Sequence, residues 1–206
     1  EPMLAGLIYG TKLEESWSAL SEPVDFFDLK GDLESVLALT SSSDSFEFIA
    51  AEHLALHPGQ TAEIRLNGQA VGLIGTLHPQ LQQELGLTQS AFLFEITQSA
   101  VADAKLPQFL PLSKYPEVRR DIAVVVDQKT SVAELKSSVI KTAGNGLINL
   151  KVFDVYVGKG IDPQRKSVAL GLTYQHPSRT LTEEEINASI EAVVGALQQE
   201  YDASLR

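Results

Sequence analysis

The 206-residue sequence contains no cysteine, which excludes disulfides, thiolate metal sites and a cysteine nucleophile, and fits a reducing compartment. No apolar run approaches the roughly 20 residues of a helical membrane span. The first residues, Glu1-Pro2-Met3-Leu4, lack the basic region that opens a signal peptide. They lead straight into strand-like Leu4–Tyr9, as in a piece of a longer chain. Basic residues are also scarce in one place. Residues 1–106 hold only Lys12, Lys30, Arg65 and Lys105 against 15 Asp and Glu, a balance of −11, whereas 107–206 holds 12 of each sign. Net charge of −11 argues against a nucleic-acid partner, but a neutral second half leaves room for a local basic patch.

This asymmetry, with the prolines of Leu106-Pro107-Gln108-Phe109-Leu110-Pro111, divides the chain into domains 1–106 and 107–206. The overall class is α+β with antiparallel sheets. In the first half, Phe46–Ala51, Thr61–Leu66, Ala70–Leu77 and Ala91–Ile96 read as strands, with a hairpin turn at Asn67-Gly68 and a loop turn at Ser41-Ser42-Ser43. Asp28 and Asp32 lead into a helix over Gly31–Leu39, and Pro79–Leu85 reads as a short helix.

In the second half Asp121–Asp127 alternates as a strand. Ser131 and Glu134 form a capping box opening a helix with Val132, Leu135, Val139 and Ile140 on its apolar face. Strands over Leu147–Val157 and Lys166–Gln175 follow, then a helix capped by Thr182 with a stripe of Ile186, Ile190, Val193, Val194 and Leu197. Ala203–Arg206 supplies a fourth strand. The order β-α-β-β-α-β is the ferredoxin-like split unit.

Period-two alternation then sorts the strand residues. Ile122, Val124 and Val126, with Val168, Leu170, Leu172 and Tyr174, go to the helices. Phe153 and Val155 are expected to join them, leaving Val152, Asp154 and Tyr156 outside. The open face is therefore floored by Ala123, Ser167, Ala169, Gly171 and Thr173, a shallow bed for a planar base. A carboxylate at Asp154 suits guanine, whose Watson–Crick edge offers N1–H and N2–H donors. Arg119, Arg120, Lys159, Arg165, Lys166 and Arg179 are the basic candidates for phosphates around that face, alongside Lys114. Solvated strand ends explain any one of them equally well, and every one-sided sheet shows small and polar residues to water.

No catalytic constellation is present. His53, His57, His78 and His176 are dispersed without zinc-ligand spacing, so no metal site is expected. His57-Pro58 and His78-Pro79 read as turns whose ring nitrogens bond local backbone. Gly68, Gly72 and Gly75 open no helix as a dinucleotide loop does.

Three stretches of the first half, Asp25-Phe26-Phe27-Asp28-Leu29-Lys30-Gly31-Asp32-Leu33-Glu34, Leu56-His57-Pro58-Gly59 and Gly72-Leu73-Ile74-Gly75-Thr76-Leu77-His78-Pro79, resemble the catalytic-like module of the phenylalanyl-tRNA synthetase β subunit. Tyr115–Ala123, Val152–Gly158 and Arg179–Asn187 resemble its C-terminal anticodon-binding domain. The resemblance covers essentially the whole chain in family order. It implies a class II synthetase-like but non-catalytic first module, and a second domain that holds the anticodon stem–loop of tRNA(Phe) with Ala123, Asp154 and Ser167 at the base. It also implies a cytoplasmic α₂β₂ enzyme whose α subunit joins phenylalanine to tRNA with ATP and Mg²⁺, this part needing no cofactor of its own. The first half agrees: it has one arginine, Arg65, and lacks the Gly-x-Gly-x-x-Arg pattern by which class II sites hold ATP phosphates. Two rival readings remain on residue grounds. An amino-acid-sensing ferredoxin-like module calls for a Gly-rich loop after its first strand, where this chain has Asp127-Gln128-Lys129-Thr130. A hydrolase built on the first domain's carboxylates lacks a nucleophile with a base.

Overall fold

In a computed structural model, residues 1–18, 20–39, 45–102, 109 and 111–206 are described. The chain forms two compact units, Glu1–Phe109 and Leu110–Arg206. The expected boundary at Leu106-Pro107 and the expected Ser41–Ser43 turn lie outside the described residues.

The first unit is a five-stranded antiparallel sheet in the order β1-β5-β4-β3-β2, from β1 (Met3–Tyr9), β2 (Phe46–Ala50), β3 (Leu56–Leu66), β4 (Gln69–Leu77) and β5 (Ala91–Thr97). Helix α1 (Phe26–Ala38) covers one face. Leu29, Leu33 and Leu37, spaced by four, bury themselves with Ile64, Ile74, Phe92, Phe94 and Ile96. α1 starts five residues before the expected Gly31. Asp25 is its N-cap, accepting from Phe27 N–H at 2.7 Å and Asp28 N–H at 3.0 Å, while the Asp28 carboxylate accepts from the Asp25 N–H at 2.7 Å. The aspartates taken as leading into the helix are thus its cap and first turn. Asn67 (φ 51°) and Gly68 (φ 80°) both adopt the left-handed conformation that a two-residue hairpin turn requires. Two short helices, α2 (Pro79–Glu84) and α3 (Gln98–Ala102), complete the unit, the latter not foreseen from the sequence.

The second unit runs β6 (Val118–Asp127), α4 (Val132–Ala143), β7 (Leu147–Tyr156), β8 (Arg165–Tyr174), α5 (Glu183–Tyr201) and β9 (Ser204–Leu205). Its sheet order is β7-β8-β6-β9, all antiparallel. The expected capping box of Ser131 with Glu134 forms on α4, and Thr182 caps α5 as expected, its partner Glu185 completing a second box. Val124, Val126, Val168, Leu170, Leu172 and Tyr174 meet Leu135, Val139, Ile186, Val193 and Leu197 in one core. The Tyr174 hydroxyl enters that core because Ser189 Oγ lies 3.0 Å away, itself donating to the Ala143 carbonyl at 3.2 Å. Ile140, expected on the apolar face of α4, is 56% exposed, and Ser138 is buried instead.

The main correction concerns β7. Val152 pairs with Leu170 and Asp154 with the next residue of β8, Ala169, so Phe153 is an unpaired extra residue, a β-bulge. Val152 consequently lies on the helix side, packed against the core. Phe153 is 47% exposed on the opposite side. Val155 keeps its expected side, opposite Val168, but this edge strand leaves it half exposed.

Candidate nucleic-acid interface

Register places the open face residue by residue. Across its middle run Asp154, Ala169 and Ala123, one from each of β7, β8 and β6. One rung along lie Tyr156, Ser167 and Val125; in the other direction lie Lys151, Gly171 and Asp121. Ser167 is 3% exposed and Ala169 8%, so these small residues of the central strand are buried among their neighbours. The Asp154 carboxylate is exposed and makes no hydrogen bond or ion pair among the described residues. Two of the basic candidates, Arg119 and Lys166, are engaged with other groups. Arg119 reaches Asp121 through Nε at 2.8 Å and Nη2 at 3.4 Å, and Lys166 donates to the Gln128 carbonyl at 3.0 Å.

Each end of this floor carries an aromatic ring with an arginine over it. The Arg119 guanidinium stands 5.5 Å from the centroid of Phe153. Arg206, anchored by its N–H to the Ala123 carbonyl at 3.0 Å, stands 5.2 Å from the centroid of Tyr156. Phe153 and Arg206 escaped the sequence reading. The bulge hid the first, and only the β6–β9 pairing brings the second across the face. Lys151, also on this side, was overlooked for lack of a basic neighbour.

Most of the remaining basic candidates are held by other groups. Arg120 faces the helices and bonds Glu183 in the first turn of α5. Arg165 donates to the Val125 carbonyl at 2.9 Å and lies 3.7 Å from the Asp202 carboxylate. Arg179 grips Glu185 with both nitrogens, at 2.7 and 2.6 Å. That fork, together with the Thr182 N–H, holds the Glu185 carboxyl down at about 2 from its ordinary 4.5. Lys159 sits in the loop after β7, where its carbonyl accepts from the Tyr156 hydroxyl at 3.2 Å.

Histidine rings mostly serve local backbone. Nδ1 accepts from Ala55 N–H in His53, from Gln80 N–H in His78 and from Ser178 N–H in His176. His57 departs from that expectation, its buried Nδ1 having no partner among the described residues. Among the described residues no group of three or more His, Asp and Glu is arranged to hold a metal ion.

Residues 113–206, which form this sheet and its helices, match the family described as the ferredoxin-fold anticodon binding domain, and residues 1–98 match the phenylalanyl tRNA synthetase beta chain CLM domain. The chain belongs to the phenylalanyl-tRNA synthetase β-chain family. Across all 206 residues it is 46% identical to the phenylalanine–tRNA ligase beta subunit of Pseudomonas fluorescens, 47% to that of Pseudomonas syringae pv. tomato and 45% to that of Vibrio vulnificus. The match covers 26% of each of those proteins, so the chain spans about a quarter of their length. These matches do not favour the amino-acid-sensing reading. No helix of the described residues is long and apolar enough to cross a membrane.

Proposed function

We propose that this chain is a tRNA-binding and structural portion of a phenylalanine–tRNA ligase β subunit, and that its second unit reads the anticodon loop of tRNA(Phe) on the open sheet face. The observation that carries the reading is Asp154, a carboxylate without a partner among the described residues, in register with a floor of the small residues Ala123, Ala169 and Ser167. A guanine lying on that floor presents N1–H and N2–H to the carboxylate, and phenylalanine anticodons in bacteria begin with guanine. The partly buried ring of Tyr156, with Arg206 over it, adds a surface for stacking. Arg119, Lys151 and Arg206 on the face supply charge for phosphates, which position the RNA without specifying its sequence. Of the other basic candidates, Arg120, Arg165, Lys166 and Arg179 are already held by ion pairs or carbonyls, and Lys159 lies in the loop after β7.

The first unit is a class II synthetase-like module that serves as a surface for an α subunit in an α₂β₂ enzyme of the cytoplasm. Aminoacylation, with ATP and Mg²⁺, belongs to that α subunit. The residues here do not fit a triphosphate: the unit's single arginine, Arg65, is bound by Glu63.

The test is a titration of the chain with anticodon stem–loop RNAs that differ only in the first anticodon base. Asp154→Ala should lower the preference for guanine by about 1–3 kcal/mol, the scale of one good bidentate base contact. Arg119→Ala should instead weaken all four RNAs and flatten the salt dependence. Equal weakening of all four RNAs by Asp154→Ala would make the residue structural.

A further inference from the structure

The bulge in β7 brings an aromatic ring to the face where strict alternation would not put one. We infer that Phe153, with the Arg119 guanidinium over it, is a second stacking platform, which takes an anticodon-loop base neighbouring the one at Asp154. The inference rests on the RNA-binding reading above.

Three observations converge on it. Phe153 is an extra residue in the ladder, so no pairing requirement explains its presence, and it leaves about half of a large apolar side chain in water. Its arginine is oriented rather than loose. Asp121 takes both Nε and Nη2 of Arg119, which fixes the guanidinium plane, and that plane reaches the ring across Gly171. Bases stack on aromatic rings and on guanidinium planes alike. Finally, Phe153 and Tyr156 lie on either side of Asp154 on one strand, roughly 10 Å apart at the usual rise per residue. A loop of single-stranded RNA following β7 meets a ring, a carboxylate and a second ring in turn, with Lys151 and Arg119 at the Phe153 end for its phosphates. That charge favours RNA over an apolar protein segment as the occupant.

The experiment uses the full 206-residue chain and an anticodon stem–loop RNA with guanine first, in versions made abasic at one loop position at a time. Phe153→Ala should weaken the intact RNA about 5- to 150-fold, the span of a single base–aromatic stack. It should have no effect on the one abasic RNA that lacks the stacked base, and that position should differ from the one at which Asp154→Ala is silent. Phe153→Tyr should bind as the unaltered chain does. Arg119→Lys, which keeps the charge and loses the plane, should weaken binding with the salt slope unchanged. Melting temperatures of the variants check that the exposed site is altered without unfolding. If Phe153→Ala binds every RNA like the unaltered chain, or weakens all abasic RNAs alike, the platform is refuted. If it is silent at the same abasic position as Asp154→Ala, there is one pocket and no second platform. If Asp154→Ala discriminates no base while Phe153→Ala keeps its position-specific loss, base reading at Asp154 fails and the platform stands. A chain that binds none of these RNAs overturns both.

Discussion

Replacing Gly171 by alanine separates the stability of the second unit from its RNA face. A Cβ at this position would lie 2.9 Å from Nη2 and 3.1 Å from Nε of Arg119, and 3.1 Å from Oδ1 of Asp121. All three atoms belong to flexible side chains, which relieve the contact by swinging aside and parting from each other. The cost is the Arg119–Asp121 ion pair, worth about 0–1 kcal/mol at such exposure. Against it stands the smaller entropy lost by alanine on folding, about 0.4–1 kcal/mol where the backbone permits a side chain. Gly171→Ala should therefore change stability by less than about 1 kcal/mol in either direction, while lifting the guanidinium off Phe153. Gly72 in β4 provides the control. There the added Cβ would come within 2.3 Å of the Glu95 carbonyl oxygen and 2.8 Å of the Ile96 Cα, both backbone atoms. Gly72→Ala should cost at least the 1–3 kcal/mol typical of overpacking. Urea unfolding followed by circular dichroism reads the stabilities, and titration with the anticodon stem–loop reads the face. Gly171→Ala should bind about 5-fold or more weakly, whereas Gly72→Ala should bind normally when folded. A Gly171→Ala chain as unstable as Gly72→Ala would show that the Arg119–Asp121 pair cannot yield. Normal stability with normal binding would show that the guanidinium plane above Phe153 contributes nothing to RNA affinity.

Acid should probe the loop before α5. A carboxylate with a depressed pKa contributes stability that is complete above its unfolded value and disappears as pH falls through the folded one. The contribution of Glu185 should therefore fade between pH 4.5 and 2. Arg179→Ala should reduce the loss of stability across that window, measured as urea midpoints; an unchanged slope would mean that the fork does not set the Glu185 pKa. Supplied with ATP and phenylalanine, the chain alone should give no pyrophosphate exchange, because Arg65 is committed to Glu63. Exchange by protein free of any α subunit would refute that.

Local chemistry made most elements readable in advance. Ser131 with Glu134, the Thr182 cap and Asn67-Gly68 each state a boundary within a few residues, and each forms as expected. The start of α1 was misplaced because Asp25 and Asp28 act as a reciprocal cap, a pattern more familiar with a hydroxyl at the cap. On β6 and β8, alternation holds through every rung. It fails on β7 at Phe153, since an unpaired residue shifts the count of side chains without any mark in composition. Basic residues were legible as a set but not in their engagements. Nothing in sequence spacing brings Arg120 to Glu183 or Arg206 to Tyr156, because those meetings depend on the stacking of α5 and β9 against β6.

The irregularity of β7 also bears on whether another chain can add to this sheet. β7 is an edge of its sheet, and it exposes Ile148, Phe153 and Val155 along one short stretch. A straight edge of that composition invites another chain to add a strand. Here the ladder is interrupted twice, between Leu147 and Asn149 and again between Val152 and Asp154. Each interruption bends the strand and breaks the even row of N–H and C=O groups that a newcomer needs. Removing the extra residues would straighten the edge, and fibrous or amorphous precipitation would be its visible sign.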